Sequence, residues 1–251
     1  MKAEERRKQI YNIIKSNEEI SVTSLSCRFN VSPMTIRRDL NALEESMLIN
    51  RTYGKAHIID RNRQEFSFEY RKTVNIELKR KIARTALNLL KDTSTLYVDG
   101  SSTVTELLKI LPNDRTYTIF TNSFEALKIL CQRPWIRTFA IGGFLGPDHN
   151  TFDDETTINI AKQIFVDAAI TSCSCFSVNG VFNDGSTGTQ VKRIMINNSA
   201  RNFLLADHTK SNSQGLFLLN SWDTVHCMVT DCPLDQKCLD AIRSYGADVY
   251  W

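Results

Sequence analysis

The sequence predicts an α/β protein in two parts: a small, mainly helical unit closed by a hairpin, then a larger domain on a parallel sheet. Three observations predict it. Apolar residues fall at helical spacing through the first quarter of the chain. From about residue 73 onward, short β-rich apolar runs alternate with helical ones. Between them residues 59–76 are polar and aperiodic. We therefore take 1–58 as the first domain, 59–72 as a linker and 73–251 as the second domain. A chain of 251 residues is long enough for both.

The first helix is expected over residues 3–16, with Ile10, Ile13 and Ile14 on one face. A second runs from a Ser21 cap to Phe29, with Val22, Leu25 and Phe29 inward, and Asn30 supplies the left-handed turn after it. Ser32-Pro33 opens the third, since serine caps well and proline loses nothing at the first helical position. Its stripe Ile36, Leu40 and Leu43 is buried, which leaves Met34, Thr35, Arg37 and Arg38 on the outward N-terminal turns. That is how a recognition helix meets the major groove: arginine reads guanine or grips phosphate, and threonine does either. Leu48, Ile49, Ala56 and Ile58 then flank a turn at Tyr53-Gly54, a hairpin wing whose Arg51 and Lys55 face the DNA backbone or minor groove. The expected DNA-contacting residues are Ser32, Met34, Thr35, Arg37, Arg38, Arg51, Tyr53 and Lys55, on a winged helix-turn-helix.

Charge agrees with that placement. Residues 1–58 hold 10 Lys and Arg against 7 Asp and Glu, whereas the remainder balances at 21 of each, so the net +3 lies entirely in the first domain.

The run SVTSLSCRFNVSPMTIRRDLNALEESMLINRTYGKA resembles the helix-turn-helix of the DeoR family of bacterial transcription regulators. Its most specific part is VSPMTIRRDLNALE. Where the family usually carries Arg-x-His-Gly-Gly-Ala, this chain has Arg51-Thr52-Tyr53-Gly54-Lys55-Ala56.

In the second domain, Leu78, Ile82, Ala86 and Leu90 recur every four residues and begin a helix. TLYVD, YTIFT, IRTFAI, AAITSC, FLLAD and HCMVT read as buried strands, with helices such as VTELLKIL, FEALKILC and TINIAKQIF between them. The alternation indicates a parallel sheet with helices on both faces. Polar residues gather just after the strands: Asp99-Gly100-Ser101-Ser102-Thr103, Thr121-Asn122-Ser123 and Gly142-Gly143. Small residues let a ligand approach the backbone, hydroxyls donate hydrogen bonds, and helix N-termini favour anions. Ligands of open α/β sheets bind outside the carboxyl ends of the strands, so one crevice lined by these loops is expected. Lys192, Asp207 and Lys210 fit the same crevice, the lysines matching a phosphate and the aspartate sugar hydroxyls. The acidic run Asp153-Asp154-Glu155 would repel a phosphate placed close by.

This half also resembles the DeoR family, through those loops together with Arg193, Ala206 and Thr230-Asp231. The resemblance implies a sugar-phosphate sensor domain with a ribose-5-phosphate isomerase-like fold. It departs near Lys192, where the family often carries Glu and this chain has Gly188-Thr189.

The expected function is a sequence-specific transcription regulator, a repressor of a carbohydrate catabolic operon modulated by a phosphorylated sugar. Its expected partners are a double-stranded DNA operator, the sugar effector and further copies of itself. An isomerase-like enzyme and a DNA binder with a vestigial sensor are the alternatives. No acid–base pair, Walker loop or nucleophile elbow stands in the sequence. The four histidines are far apart and the seven cysteines scattered, so no cofactor or metal is expected and the thiols read as reduced. Cys173 and Cys175 would share one face of a strand. With no long apolar stretch and no apolar core after the basic N-terminal residues, the expected location is the cytoplasm, without membrane contact.

Overall fold

The computed structural model describes residues 3–16, 20–45, 49–52, 55–58, 68–146, 149–185 and 188–251. It divides into two compact units, Met1–Arg71 and Lys72–Trp251. Most of the expected linker lies outside the described residues, and its last part, Phe68–Arg71, forms the short helix α4.

In the first unit, α1 spans Ala3–Ser16, α2 Val22–Phe29 and α3 Pro33–Glu45. Each starts or stops where its sequence dictates. The Ser21 hydroxyl accepts from the Ser24 N–H at 3.1 Å, and Ser32 does the same for Thr35 at 3.1 Å. Asn30 ends α2 in the left-handed region at φ 49°, where its N–H closes onto Cys27 and Ser26 carbonyls. Ile10, Ile14, Leu25, Ile36, Leu40, Leu43 and Ile49 make the core. Strands β2 (Ile49–Thr52) and β3 (Lys55–Ile58) pair antiparallel. A strand not foreseen, β1 (Ile20–Ser21), pairs with β3 through Ile20↔Ala56.

The second unit opens with α5, Ile76–Leu89. Seven strands follow: β4 (Thr95–Val98), β5 (Tyr117–Thr121), β6 (Ile136–Ala140), β7 (Val166–Thr171), β10 (Ser199–Leu205), β12 (Cys227–Val229) and β13 (Asp248–Tyr250). All pair parallel, in the order β13-β12-β10-β7-β4-β5-β6. Side chains alternate between two cores, as the pleat requires: Phe203 and Leu205 enter one, Leu204 the other. One core packs beneath α5, α6 (Ser102–Leu108) and α7 (Phe124–Leu130), the other beneath α8 (Glu155–Ala161), α9 (Thr189–Asn197) and α10 (Gln236–Ser244).

Two parts were not foreseen, the edge strand β13 and a small antiparallel sheet of β8 (Cys175–Ser177), β9 (Gly180–Asn183) and β11 (Phe217–Asn220). The expectation that Cys173 and Cys175 share a strand face is corrected. Strand β7 ends at Thr171, Cys173 lies in the connection, and Cys175 begins β8.

Candidate functional site

On the first unit, α3 presents Met34, Arg37 and Arg38 to solvent, with Thr35 half-buried and Ser32 spent on the cap. Between those exposed arginines and the core sits Asp39, 2% exposed. Arg6 of α1 reaches it at 2.6 Å and Arg7 at 3.3 Å. This ion pair ties α3 to α1, and sequence reasoning missed it. The partners lie 33 residues apart, and Asp39 looks like one more surface charge of a helix. Arg51 and Lys55 sit on β2 and β3, Lys55 opposite Thr52, but their side chains and Tyr53 lie outside the described residues.

In the second unit the chain runs β4, β5, β6 outward, then returns to place β7 on the other side of β4. Such a reversal is where open α/β sheets have their ligand crevice, here at the carboxyl ends of β4 and β7. Asp99 follows β4 and is 1% exposed. One carboxylate oxygen accepts the Ser101 N–H at 3.0 Å. The other accepts the Ser172 N–H at 2.9 Å and the Lys192 ammonium at 2.8 Å. Burial opposes its ionisation, but the Lys192 charge and these hydrogen bonds prevail, so its pKa is held below 3.8. Lys192 also donates to the Ser172 carbonyl at 2.9 Å. Lys210, half-buried, donates to the Cys173 carbonyl at 2.5 Å and approaches the Ser172 hydroxyl at 3.4 Å. Asp207, 1% exposed, caps the short turn His208–Lys210 by accepting from the Thr209 N–H at 3.2 Å and from its hydroxyl. The Cys173 thiol sits among Lys210, Lys192 and Asp207, yet burial dominates and pushes its pKa up to about 12, so it is an inert thiol. The crevice thus collects Asp99, Lys192, Asp207 and Lys210 around the Ser172-Cys173 backbone.

The neighbouring loops meet on Asn150, 2% exposed and unsuspected from sequence. Its amide donates to the Gly100 carbonyl at 2.9 Å and accepts from the Ser123 hydroxyl at 3.1 Å. A Cβ on Gly100 would stand 2.9 Å from that amide nitrogen, which is why glycine follows Asp99. Thr121 donates to the Val98 carbonyl at 2.8 Å, and Asn122 accepts from the Tyr97 hydroxyl at 2.9 Å and donates to the Phe152 carbonyl at 2.8 Å. Ser101 and Ser123 cap α6 and α7. Ser102 and Thr103 lie in the first turn of α6, and the buried Thr103 hydroxyl has no hydrogen-bond partner among the described residues. A buried polar atom left unmatched is a place where a ligand or water completes the site.

Gly142 and Gly143 are engaged otherwise. The Gly142 carbonyl accepts from the Thr157 hydroxyl at 3.0 Å, and Gly143 packs against Asp154. The acidic run is largely committed to the backbone. Asp154 caps α8, and hydrogen bonds from Thr157 and Thr156 bring its pKa to about 2. Asp153 accepts the Gly188 N–H at 2.8 Å, which ties this segment to the start of the helix bearing Lys192.

A small helix-turn-helix unit followed by a parallel sheet with charged and polar side chains gathered at its strand ends fits a class, the ligand-responsive DNA-binding regulators. Comparison with known proteins makes it specific. A DeoR-like helix-turn-helix domain matches residues 6–62, and the DeoR C-terminal sensor domain matches residues 74–232. The chain belongs to the DeoR family of transcription regulators, a family of DNA-binding proteins and not of enzymes. It is 30% identical over 240 residues to the uncharacterized HTH-type transcriptional regulator YulB of Bacillus subtilis (strain 168), covering 95% of this chain and 93% of that one. It is 29% identical over 239 residues to the glycerol-3-phosphate regulon repressor of Escherichia coli (strain K12), covering 93% and 92%. Among solved structures, ribose 5-phosphate isomerase A from Methanocaldococcus jannaschii matches with 21% identity over 55% of each chain, at a TM-score of 0.39. No helix among the described residues is long and apolar enough to cross a membrane.

Proposed function

We propose that this regulator represses a carbohydrate catabolic operon and that a phosphorylated sugar, bound in the crevice between β4 and β7, modulates it. Lys210 carries the proposal. It is a half-buried ammonium whose hydrogen bonds go to neutral oxygens, the Cys173 carbonyl and the Ser172 hydroxyl. Such a cation gains most from an incoming anion, because no carboxylate among the described residues forms an ion pair with it. Lys192 is already paired with Asp99, so it serves mainly to hold that loop and adds a second positive charge. The Ser101, Ser102 and Thr103 hydroxyls and Asp207 offer partners for the sugar, and the relative named for a glycerol-3-phosphate regulon supports an effector of this chemistry.

Coupling to DNA runs through the start of α5, the first helix after the linker. Asn75, just before α5, donates to the Thr209 hydroxyl at 3.2 Å, and Thr209 in turn bonds Asp207. Lys81 of α5 donates to the Asp231 carbonyl at 2.5 Å. An effector that draws in Lys210 therefore moves the loop on which α5 is moored. It changes operator affinity only by the difference in its affinity for the two arrangements. Ser32, Met34, Thr35, Arg37 and Arg38 read the operator, and the wing residues Arg51, Tyr53 and Lys55 grip its backbone. Two half-sites read by a homo-oligomer in the cytoplasm complete the proposal.

The test is fluorescence anisotropy on the DNA upstream of the protein's own operon, beside an unrelated duplex, with calorimetry against a panel of sugar phosphates. Arg37→Ala/Arg38→Ala should lose preference for the upstream DNA. One panel member should release heat and shift operator affinity in the natural chain, and neither effect should survive Lys210→Ala. Silence from the whole panel, or full response in Lys210→Ala, would sink the effector assignment.

A further inference from the structure

We propose that His208, Asp231 and Cys232 form a site for a thiophilic divalent ion of the zinc class, beside the effector crevice and separate from it. The register of the sheet brings them together. Leu205 of β10 pairs with Val229 of β12, so the loops after the two strands leave the sheet side by side. One carries His208, the other Asp231-Cys232, and a donor atom from each lies within 4.8 Å of the other two. Asp231 is the fixed member: it is 4% exposed, and its Oδ1 accepts the His208 backbone N–H at 2.8 Å. Its Oδ2 stands 2.7 Å from the His208 Nδ1. The Cys232 thiol lies within 4.8 Å of that carboxylate and of the imidazole.

An ion would sit between the three donors and replace the His208–Asp231 hydrogen bond, the thiol proton leaving to solvent. Tetrahedral zinc at about 2.0–2.3 Å from N, O and S holds its ligands roughly 3.5 Å apart. His208, with 46% of its side chain exposed, and the half-buried Cys232 have room to adjust to that spacing. A nitrogen, a sulfur and one carboxylate select zinc, cobalt or nickel over magnesium or calcium, which want oxygen alone. Lys81 brings an adverse charge nearby, but its ammonium bonds the Asp231 main-chain carbonyl, not the carboxylate. Three protein ligands leave a fourth position for water. A bound ion would clamp the His208–Lys210 turn to the end of β12 and so fix the loop that carries Lys210.

The experiment uses the full chain, reduced and stripped with a chelator, titrated with Co2+ and then Zn2+. One equivalent of cobalt should produce a sulfur-to-cobalt charge-transfer band that zinc abolishes. The band should vanish in Cys232→Ser, and cobalt affinity should fall at least tenfold in His208→Ala. Both variants should keep the urea midpoint of the natural chain, which separates ligand loss from unfolding. No thiolate band in the natural chain, or an undiminished band in Cys232→Ser, overturns the site. Neither result depends on whether the crevice binds a sugar phosphate.

Discussion

Replacing Asp99 by asparagine tests whether its carboxylate holds the crevice together. The side chain is 1% exposed and serves three donors: the Ser101 N–H at 3.0 Å, the Ser172 N–H at 2.9 Å and the Lys192 ammonium at 2.8 Å. An amide keeps one acceptor. Whichever way it turns, an NH2 group faces a backbone N–H, and Lys192 loses its counter-charge. Removing one partner of a buried ion pair costs about 3–5 kcal/mol. Lys192 retains 14% exposure and can swing partly toward water, which places the expected loss at about 3 kcal/mol. All three tryptophans, Trp135, Trp222 and Trp251, lie in the second unit, so urea unfolding followed by tryptophan fluorescence reports that unit. With a slope of about 2 kcal/mol per molar urea, the midpoint should fall by about 1.5 M at fixed protein concentration. The sign with pH is fixed too. The folded pKa of Asp99 is lowered, so its contribution is complete above the ordinary 3.8 and fades as pH falls through the lower folded value. The gap between natural chain and variant should therefore narrow below about pH 4. A midpoint shift under about 0.3 M at neutral pH would refute the carboxylate's structural role.

Three further outcomes follow from the same geometry. Asp39→Ala strands Arg6, whose side chain is 10% exposed, and should lower the opening free energy of α3 by about 3 kcal/mol in native-state hydrogen exchange while weakening operator binding. Gly143→Ala would place a Cβ 1.9 Å from Asp154 Oδ1 and expel the α8 cap, costing at least about 1 kcal/mol in urea, whereas Gly142→Ala meets nothing within 4 Å and should change stability by less than about 0.5 kcal/mol. Asp167, whose pKa is brought to about 2 by the Thr95 and Ser94 backbone N–H groups that tie the start of β7 to β4, contributes stability above 3.8 that disappears toward pH 2; Asp167→Asn should flatten the acid limb of an unfolding titration in that interval.

What the sequence disclosed depended on how completely each strand is buried. The central strands are covered on both faces, so TLYVD or FLLAD reads as an unbroken apolar run. Strand β13, Asp248–Tyr250, is a largely exposed edge of three residues and offers no such run. The apolar run through Cys173 hid a break. It falls at Ser172, whose N–H bonds the Asp99 carboxylate across the crevice and leaves the strand ladder there. The short sheet of β8, β9 and β11 depends on the Ser177↔Gly180 hairpin and a distant third strand, neither visible as periodicity.

The site divides along the same line. Asp99, Asp207 and Lys210 were legible as polar residues just after strands, because a parallel sheet delivers every strand end to one edge, and Lys192 as a cation near the start of a helix. The roles of Asp99, Lys192 and Lys210 were not legible, since the partners that set them lie far away in sequence. Asp99 illustrates the consequence for chemistry. An isomerase requires a carboxylate that reaches a substrate proton and has a pKa tuned toward the working pH. Asp99 is turned instead to Ser101, Ser172 and Lys192, and its pKa is driven down. A carboxylate so engaged is a poor base and a good strut. It fixes the loop that carries Ser101, Ser102 and Thr103, and it anchors the Ser172-Cys173 backbone on which Lys210 rests. Rigid placement of a cation suits a pocket that must distinguish bound from unbound, and it is of little use for moving protons.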